Sequence, residues 1–167
     1  TERVVVGDFD NNGKLDDIAA FYDYGNNETR IHVWKKIDGE MFEYSGAVGW
    51  WSVVGYSTDD IKDVVVGDFD RDGYKDDIAV IHDYGNSQTR IHMFKSTGSS
   101  FQYTGAVGYW QSTGYDANLI EGRAVSGDFN NNGYEDDIAV FYDYGNNQTR
   151  IHTFLGNINS FIYTGAA

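Results

Sequence analysis

The chain has 167 residues without cysteine or proline, so disulfides and zinc–thiolate sites are excluded and its turns depend on Gly, Asn and Asp. Its 12 Lys and Arg stand against 26 Asp and Glu, and the net charge of -14 argues against nucleic acid and anionic membranes as partners and favours cations. No run reaches the ~18 apolar residues of a transmembrane helix, and the strand-like start predicts a mature or excised segment without a signal peptide.

The chain contains three copies of one unit. The copies carry the segments GDFDNNGKLDDIA from Gly7, GDFDRDGYKDDIA from Gly67 and GDFNNNGYEDDIA from Gly127, so they recur every 60 residues. The third copy is shorter, because it has no equivalent of residues 50–60. We predict one repeat domain made of units at residues 1–60, 61–120 and 121–167.

Short strands account for each unit. Aromatic residues make up 16% of the chain and no long helix-forming run occurs, which favours an all-β fold. Gly, Asn and Ser turn signals separate four candidate strands in each unit. Within RIHMF, Ile91 and Met93 point to one face and the alternate residues to the other. The candidate strands of the second unit are Val64–Phe69, Ile78–Tyr84, Thr89–Lys95 and Phe101–Trp110.

The size of the unit predicts the architecture. Four short strands in ~60 residues match a propeller blade, so we predict three tandem four-stranded antiparallel β-propeller-type blades. Propeller rings contain ~4 to 8 blades, and three blades therefore form an incomplete or open propeller arc. Excision from a longer chain, closure by oligomerisation and an open stack all fit this pattern, whereas a compact three-fold arrangement is less favoured.

The loop after the first strand of each unit has the pattern of a calcium site. Oxygens at loop positions 1, 3, 5 and 9 and the carbonyl at 7 converge on one hard cation if the chain turns sharply at position 6, where Gly stands. Mixed oxygen ligands favour calcium over magnesium, and the lack of His or Cys argues against zinc. We predict about three structural Ca²⁺ ions. The predicted ligands are Asp8, Asp10, Asn12, Lys14 and Asp16; Asp68, Asp70, Asp72, Tyr74 and Asp76; and Asp128, Asn130, Asn132, Tyr134 and Asp136, with Lys14, Tyr74 and Tyr134 acting through their carbonyls.

The alternative to a metal site is an acidic Asx-turn hairpin without an ion. Crowded carboxylates repel one another without a cation, which favours the metal site, and affinity should fall from the second loop to the first to the third as carboxylates become fewer. Asp17, Asp77 and Asp137 follow the loops directly. We expect them to brace the loops by accepting backbone N–H bonds, with metal ligation as the second possibility.

The three segments that begin at Gly7, Gly67 and Gly127 resemble the FG-GAP or VCBS repeats of integrin α-chain propellers and of many secreted bacterial proteins. The resemblance covers the whole chain, and the Asp-rich loop between two strands is its specific part. It implies propeller-type blades, structural loop calcium and an extracellular or cell-surface role in adhesion or ligand binding. The copy number differs, since a closed propeller of this family has about seven blades.

Aromatic pairs and two sequons also invite a function. Trp50 and Trp51 in the first unit, and Tyr109 and Trp110 in the second, either stack on sugar rings or pack between blades. Asn27 and Asn147 begin N-glycosylation sequons. These residues are candidate ligand-binding and glycosylation positions.

The recurring histidines do not predict an enzyme. His32, His92 and His152 each lie near an Arg, but no nucleophile accompanies them in a recognisable arrangement. We expect cross-strand structural roles, with the Asp residues of the preceding strand as partners. No catalytic residue is predicted.

These patterns favour a non-enzymatic, extracellular calcium-binding β-repeat module that serves adhesion or binds carbohydrate or a cell-surface polymer in a lectin-like manner. The alternative is a self-assembling structural protein whose blades form a closed oligomer or a filament. Its partners are then further copies of itself, as a homo-oligomer or as part of a longer chain. Neither hypothesis involves nucleic acid or membrane insertion.

Overall fold

A computed structural model describes residues 3–37, 39, 41–105, 107–120 and 122–166. Over these residues the fold is all-β, as predicted, with short 3-10 helices at Thr58–Asp60 and Ala117–Ile120. No helix in the described residues is long and apolar enough to cross a membrane. The strands are β1 (Arg3–Gly7), β2 (Asp17–Asp23), β3 (Glu28–Lys36), β4 (Phe42–Tyr44), β5 (Trp51–Val54), β6 (Ile61–Gly67), β7 (Asp77–Asp83), β8 (Gln88–Ser96), β9 (Phe101–Tyr103), β10 (Trp110–Thr113), β11 (Ala124–Gly127), β12 (Asp137–Gly145), β13 (Gln148–Gly156) and β14 (Phe161–Ala166).

The strands form three open antiparallel sheets, one for each unit. The first sheet has the order β1-β2-β3-β4, and β5 also pairs with β3. The second sheet repeats this order as β6-β7-β8-β9, with β10 on β8. The third sheet is β11-β12-β13-β14. Each sheet therefore has four strand positions, and its strands follow one another in chain order.

The outer strand of the second sheet is split, so the prediction of one strand over Phe101–Trp110 is wrong. Tyr103 pairs with Phe94 and Trp110 pairs with Ile91. The outer chain therefore runs seven residues, from Tyr103 to Trp110, beside a stretch of β8 that is only three residues long, from Phe94 to Ile91. The chain is outside the strand at Thr104 and is back against β8 at Gly108, where an added Cβ would lie 2.5 Å from the Ile91 carbonyl oxygen. A glycine at this point lets the loop close against β8, and the fourth strand resumes as β10.

Two hydrophobic cores lie between the three sheets. Ile91 and Met93 belong to the core between the second and third units. Phe94, on the opposite face of β8, belongs to the core between the first and second units. This alternation confirms the prediction made from RIHMF. Because β6 contacts both β1 and β11, the first strands of the units lie side by side.

A tyrosine crosses each junction between units. After β5 the chain carries Tyr56 into the second unit, where its hydroxyl lies 3.0 Å from His92 Nδ1. After β10 it carries Tyr115 into the third unit, where the hydroxyl lies 3.0 Å from His152 Nδ1. Both rings are buried, so each junction contains a tyrosine–histidine hydrogen bond inside apolar surroundings. These bonds fix the order in which the units pack.

Close backbone contacts join successive loops. The Asp8 N–H donates to the Lys75 carbonyl at 2.9 Å, and the Asp68 N–H donates to the Glu135 carbonyl at 3.1 Å. The glycine before each donor allows this approach, because a Cβ on Gly67 would lie 2.7 Å from the Glu135 oxygen. The Gly-Asp pairs that open the first and second motifs therefore belong to the junctions with the next unit.

We expect Gly67→Ala to destabilise the protein and Gly127→Ala to do so much less. An alanine at position 67 would collide with the backbone of the third unit, whereas a Cβ on Gly127 meets only the Phe129 ring, at 3.2 Å. Overpacking of this kind costs ~1–3 kcal/mol. Chemical denaturation of both variants, at a protein concentration low enough to keep the chains single, measures the difference, and equal losses would refute the role given to this contact.

Candidate metal centres

The three acidic loops fold in the same way. In the first loop, Asp8 accepts the N–H groups of Asn12 and Gly13, each at 2.8 Å. Asp128 accepts the equivalent N–H groups in the third loop at 2.9 and 2.8 Å. Asp68 Oδ2 accepts the Gly73 N–H at 3.1 Å. The carboxylate at position 1 thus closes each loop over its own backbone.

Glycine at position 6 makes the sharp turn that the calcium pattern requires. The φ angles of Gly13, Gly73 and Gly133 are 84°, 98° and 90°, in the left-handed region that residues with a Cβ rarely adopt. At position 7, the N–H groups of Lys14, Tyr74 and Tyr134 each donate at 2.9 Å to the side-chain oxygen two residues earlier. Ligation by the carbonyls of these three residues stays a prediction.

Carboxylate oxygens converge in the first and second loops. Asp68, Asp70 and Asp72 each place one oxygen within 4.8 Å of the others. Atoms that ligate one Ca²⁺ at 2.3–2.6 Å lie at most about 5 Å apart, so this spacing fits a shared ion. In the first loop the corresponding group is Asp8, Asp10 and Asp17.

Buried oxygens without a hydrogen-bond partner mark the ninth position of every loop. They are Oδ1 of Asp16, Asp76 and Asp136, and Asp68 Oδ1 is in the same state; among the described residues, none of these atoms has a hydrogen-bond partner. An unsatisfied buried carboxylate oxygen is costly, and a hard cation is the group that satisfies it. The residues present therefore fit calcium, and the ninth-position aspartates, Asp16, Asp76 and Asp136, fit the role of ligand.

The aspartates that follow the loops brace them, as the sequence predicted. Asp77 accepts the Asp70 N–H at 3.0 Å with one oxygen and the Ser96 N–H at 2.9 Å with the other. Asp17 repeats this with Asp10 and Lys36, at 2.9 and 2.7 Å. Each bracing carboxylate ties its loop to the end of the third strand of the same sheet.

In the third unit, Asp137 accepts the Asn130 and Gly156 N–H groups at 3.0 and 2.9 Å. The Asn130 side-chain amide also donates to Asp137, at 3.0 Å, which leaves its carbonyl oxygen for a cation. The brace is therefore present in all three units.

Burial and like charge disfavour the ionised carboxylates of the second loop. Burial first, and then the nearby carboxylates of Asp72 and Asp70, raise the pKa of Asp76 to about 7. Burial, followed by the charge of Asp70, raises the pKa of Asp77 to about 8. Burial also raises the pKa of Asp68. A divalent cation would favour the charged forms of these groups.

Side chains from the preceding unit hold the ninth-position aspartates of the second and third loops. Arg71 Nε lies 2.9 Å from Asp136 Oδ2, and its Nη2 donates to the Gly156 carbonyl at 3.1 Å. At the first junction the Asn11 amide, oriented to donate, lies 2.9 Å from Asp76 Oδ2. One oxygen of each aspartate thus faces the neighbouring unit, while Oδ1 remains for an ion. Each acidic loop is also part of a junction.

The four aromatic residues predicted to stack on ligands pack between the units. Trp51 lies 4.9 Å from the Phe94 ring centre and Trp110 lies 4.8 Å from that of Phe154, both edge-to-face. Trp50 and Tyr109 contact rings of the next outer strand, at 5.5 and 5.9 Å. Packing between units is one of the two roles that the sequence allowed for these four residues. Their ligand-binding role stays a prediction.

The predicted glycosylation positions are exposed. Asn27 and Asn147 both lie in turns with positive φ, of 58° and 60°. In the first turn, the Glu28 N–H donates to the Gly25 carbonyl at 2.9 Å. Glycosylation of either residue stays a prediction.

The recurring histidines bond to tyrosines rather than to the expected aspartates. Nε2 of His32, His92 and His152 lies 2.9, 3.1 and 2.9 Å from the hydroxyls of Tyr24, Tyr84 and Tyr144. Burial lowers the pKa of His32 and His152. Burial therefore favours the neutral form of the His32 and His152 rings.

A cavity of about 550 Å³ opens at the junction of the first and second units. His82 lines it and is 93% buried, since its exposed fraction is 7%. Among the described residues, neither ring nitrogen of His82 has a hydrogen-bond partner. Burial lowers its pKa, against the opposing charges of Asp60 and Asp83. The aligned residues of the other units are tyrosines, Tyr22 and Tyr142, so His82 distinguishes this junction.

Sequence reasoning missed the contacts that join units. Arg71 and Tyr56 interact with another unit, and no local sequence pattern marks them. His82 lines the first junction, and its only sequence signal is that it replaces the tyrosine of the other copies.

No family model and no curated protein matches this chain. The metal assignment therefore rests on the geometry of the loops.

We expect Asp76→Asn to weaken calcium binding by the second loop by at least about tenfold, because it removes the charge of a ninth-position ligand. Asp59→Asn is the matched control, since it makes the same change in net charge at an exposed residue outside the loops. Calorimetric calcium titration of the two variants measures the effect. An unchanged binding curve for Asp76→Asn would remove this residue from the ligand set.

Proposed function

We propose that the chain is a non-enzymatic, extracellular calcium-binding module of β-propeller-type blades that binds carbohydrate or a cell-surface polymer in adhesion. Calcium is structural in this proposal. The main support for it is the Oδ1 atom at the ninth position of all three loops, which is buried and has no hydrogen-bond partner among the described residues. The ions neutralise loops that also join the units, so they fix the relative positions of the surfaces that meet a ligand.

The cavity at the first junction is the best-supported ligand site. Three aromatic residues, Tyr56, Tyr84 and Tyr103, line it beside the acidic residues Asp60 and Asp83. Aromatic faces beside a few convergent polar groups suit a sugar ring, whose C–H face packs on an aromatic ring while its hydroxyls form hydrogen bonds. His82 lies against this cavity with both ring nitrogens buried, so its ring shapes the cavity wall and makes no direct hydrogen bond to a ligand.

We expect His82→Tyr to abolish glycan binding, since it gives this junction the side chain found in the other units and places a larger ring against the cavity. Gln102→Tyr, at an exposed position of β9, is the control for an added tyrosine. A glycan array probed in calcium, followed by titration of the best glycan, measures binding. Wild-type protein that ignores every glycan, or a His82→Tyr variant that binds normally, would refute the site.

A further inference from the structure

Going beyond ligand binding, we propose that two copies of this chain join head to tail, with the third unit of each packed on the first unit of the other. The interface repeats the two junctions already inside the chain. Two copies supply six units, within the ~4 to 8 that close a propeller ring. The assembly is a closed pair with two equivalent junctions.

The third unit exposes the face that its predecessors bury. Phe9 and Phe69 occupy one position of the first and second units and are 0% and 2% exposed, whereas Phe129 at that position is 47% exposed. Phe141 and Ile151 are 45% and 40% exposed, while their counterparts in the first two units are at most 1% exposed. The third unit therefore has an interface surface that no described residue covers.

The first unit exposes the complementary face. In the internal junctions, Phe101 packs edge-to-face on Phe9, and Phe161 packs in the same way on Phe69, each with ring centres 5.6 Å apart. Phe101 and Phe161 are each 6% exposed, but Phe42, the equivalent ring of the first unit, is 44% exposed. A third junction with the same geometry places Phe42 of one copy on Phe129 of the other.

The polar contacts repeat as well. Internally, the Asp68 N–H donates to the Glu135 carbonyl, and Arg71 holds Asp136. The corresponding donors of the third unit are the Asp128 N–H and the Asn131 side chain. Their counterparts on the first unit are the Leu15 carbonyl and the Asp16 carboxylate, whose Oδ2 would meet Asn131 as Asp76 Oδ2 meets Asn11. Apolar and polar contacts thus point to the same register.

The first unit is able to dock without a crossing tyrosine. At the internal junctions, Tyr56 and Tyr115 satisfy Nδ1 of the following histidine. In the first unit, the Tyr44 hydroxyl lies 2.9 Å from His32 Nδ1 and takes that role within the same sheet. The buried histidine is therefore satisfied before a second copy arrives.

Calcium should be required for the pairing, because the docking loops are acidic. The first loop contributes Asp8, Asp10 and Asp16, and the third contributes Asp128 and Asp136. These carboxylates would face one another across the new junction. Calcium ions in both loops would reduce this repulsion.

Sedimentation velocity of the full chain over a range of micromolar concentrations tests the proposal. We expect a two-chain particle in calcium and single chains after chelation. Phe129→Glu and Phe42→Glu should each give single chains, whereas Val107→Glu, which changes a 68% exposed residue of the second unit, should leave the pair intact. Calcium-dependent thermal unfolding of each variant shows that it is folded.

Mixing the two disruptive variants tests the orientation. Phe129→Glu retains the face of the first unit and Phe42→Glu retains that of the third, so the mixture should recover a two-chain particle with one junction. Wild-type protein that stays single in calcium overturns the proposal, and so does an open-ended polymer. A Phe42→Glu variant that pairs alone would also overturn it, because like faces would then be in contact.

Discussion

Buried carboxylates lie where successive units meet. The loops and the junctions both depend on how the charge of these carboxylates is compensated. Asp76 and Asp136 each share one oxygen with a side chain of the preceding unit, through Asn11 and Arg71, while the other oxygen has no hydrogen-bond partner in the described residues. Asp76 meets an uncharged amide at the junction, and burial raises its pKa to about 7, which disfavours its ionised form. A cation at this point stabilises a loop and a junction together.

Apolar packing between units and the geometry of the loops depend on each other. The glycine that opens the first and the second motif connects the two features. Gly67 lets the Glu135 carbonyl reach the Asp68 N–H, and the sheets it connects bury Phe69 against Phe161. A loop that loses its shape would separate these backbones and open the core beside them. Calcium is therefore expected to set the spacing of the sheets, and with it the shape of the cavity at the first junction.

Features encoded by local sequence were predictable, and contacts between units were not. The alternation around Ile91, the left-handed glycine at position 6 and the bracing role of Asp77 follow from strand period, turn chemistry and short-range hydrogen bonding. The split of the outer strand at Gly108 escaped prediction, because it depends on how closely the loop approaches β8. Arg71 occupies a turn position, and only the packing of the third unit gives it Asp136 as a partner.

Equilibrium unfolding of the full chain in saturating calcium and in excess chelator, with the bound ions counted in parallel, measures how far calcium stabilises the loops and junctions. We expect about three ions per chain and a large loss of stability on chelation, since binding to the folded state alone stabilises it by mass action. A chelated protein that unfolds at the same denaturant concentration as the calcium-loaded protein would show that calcium has no structural role here.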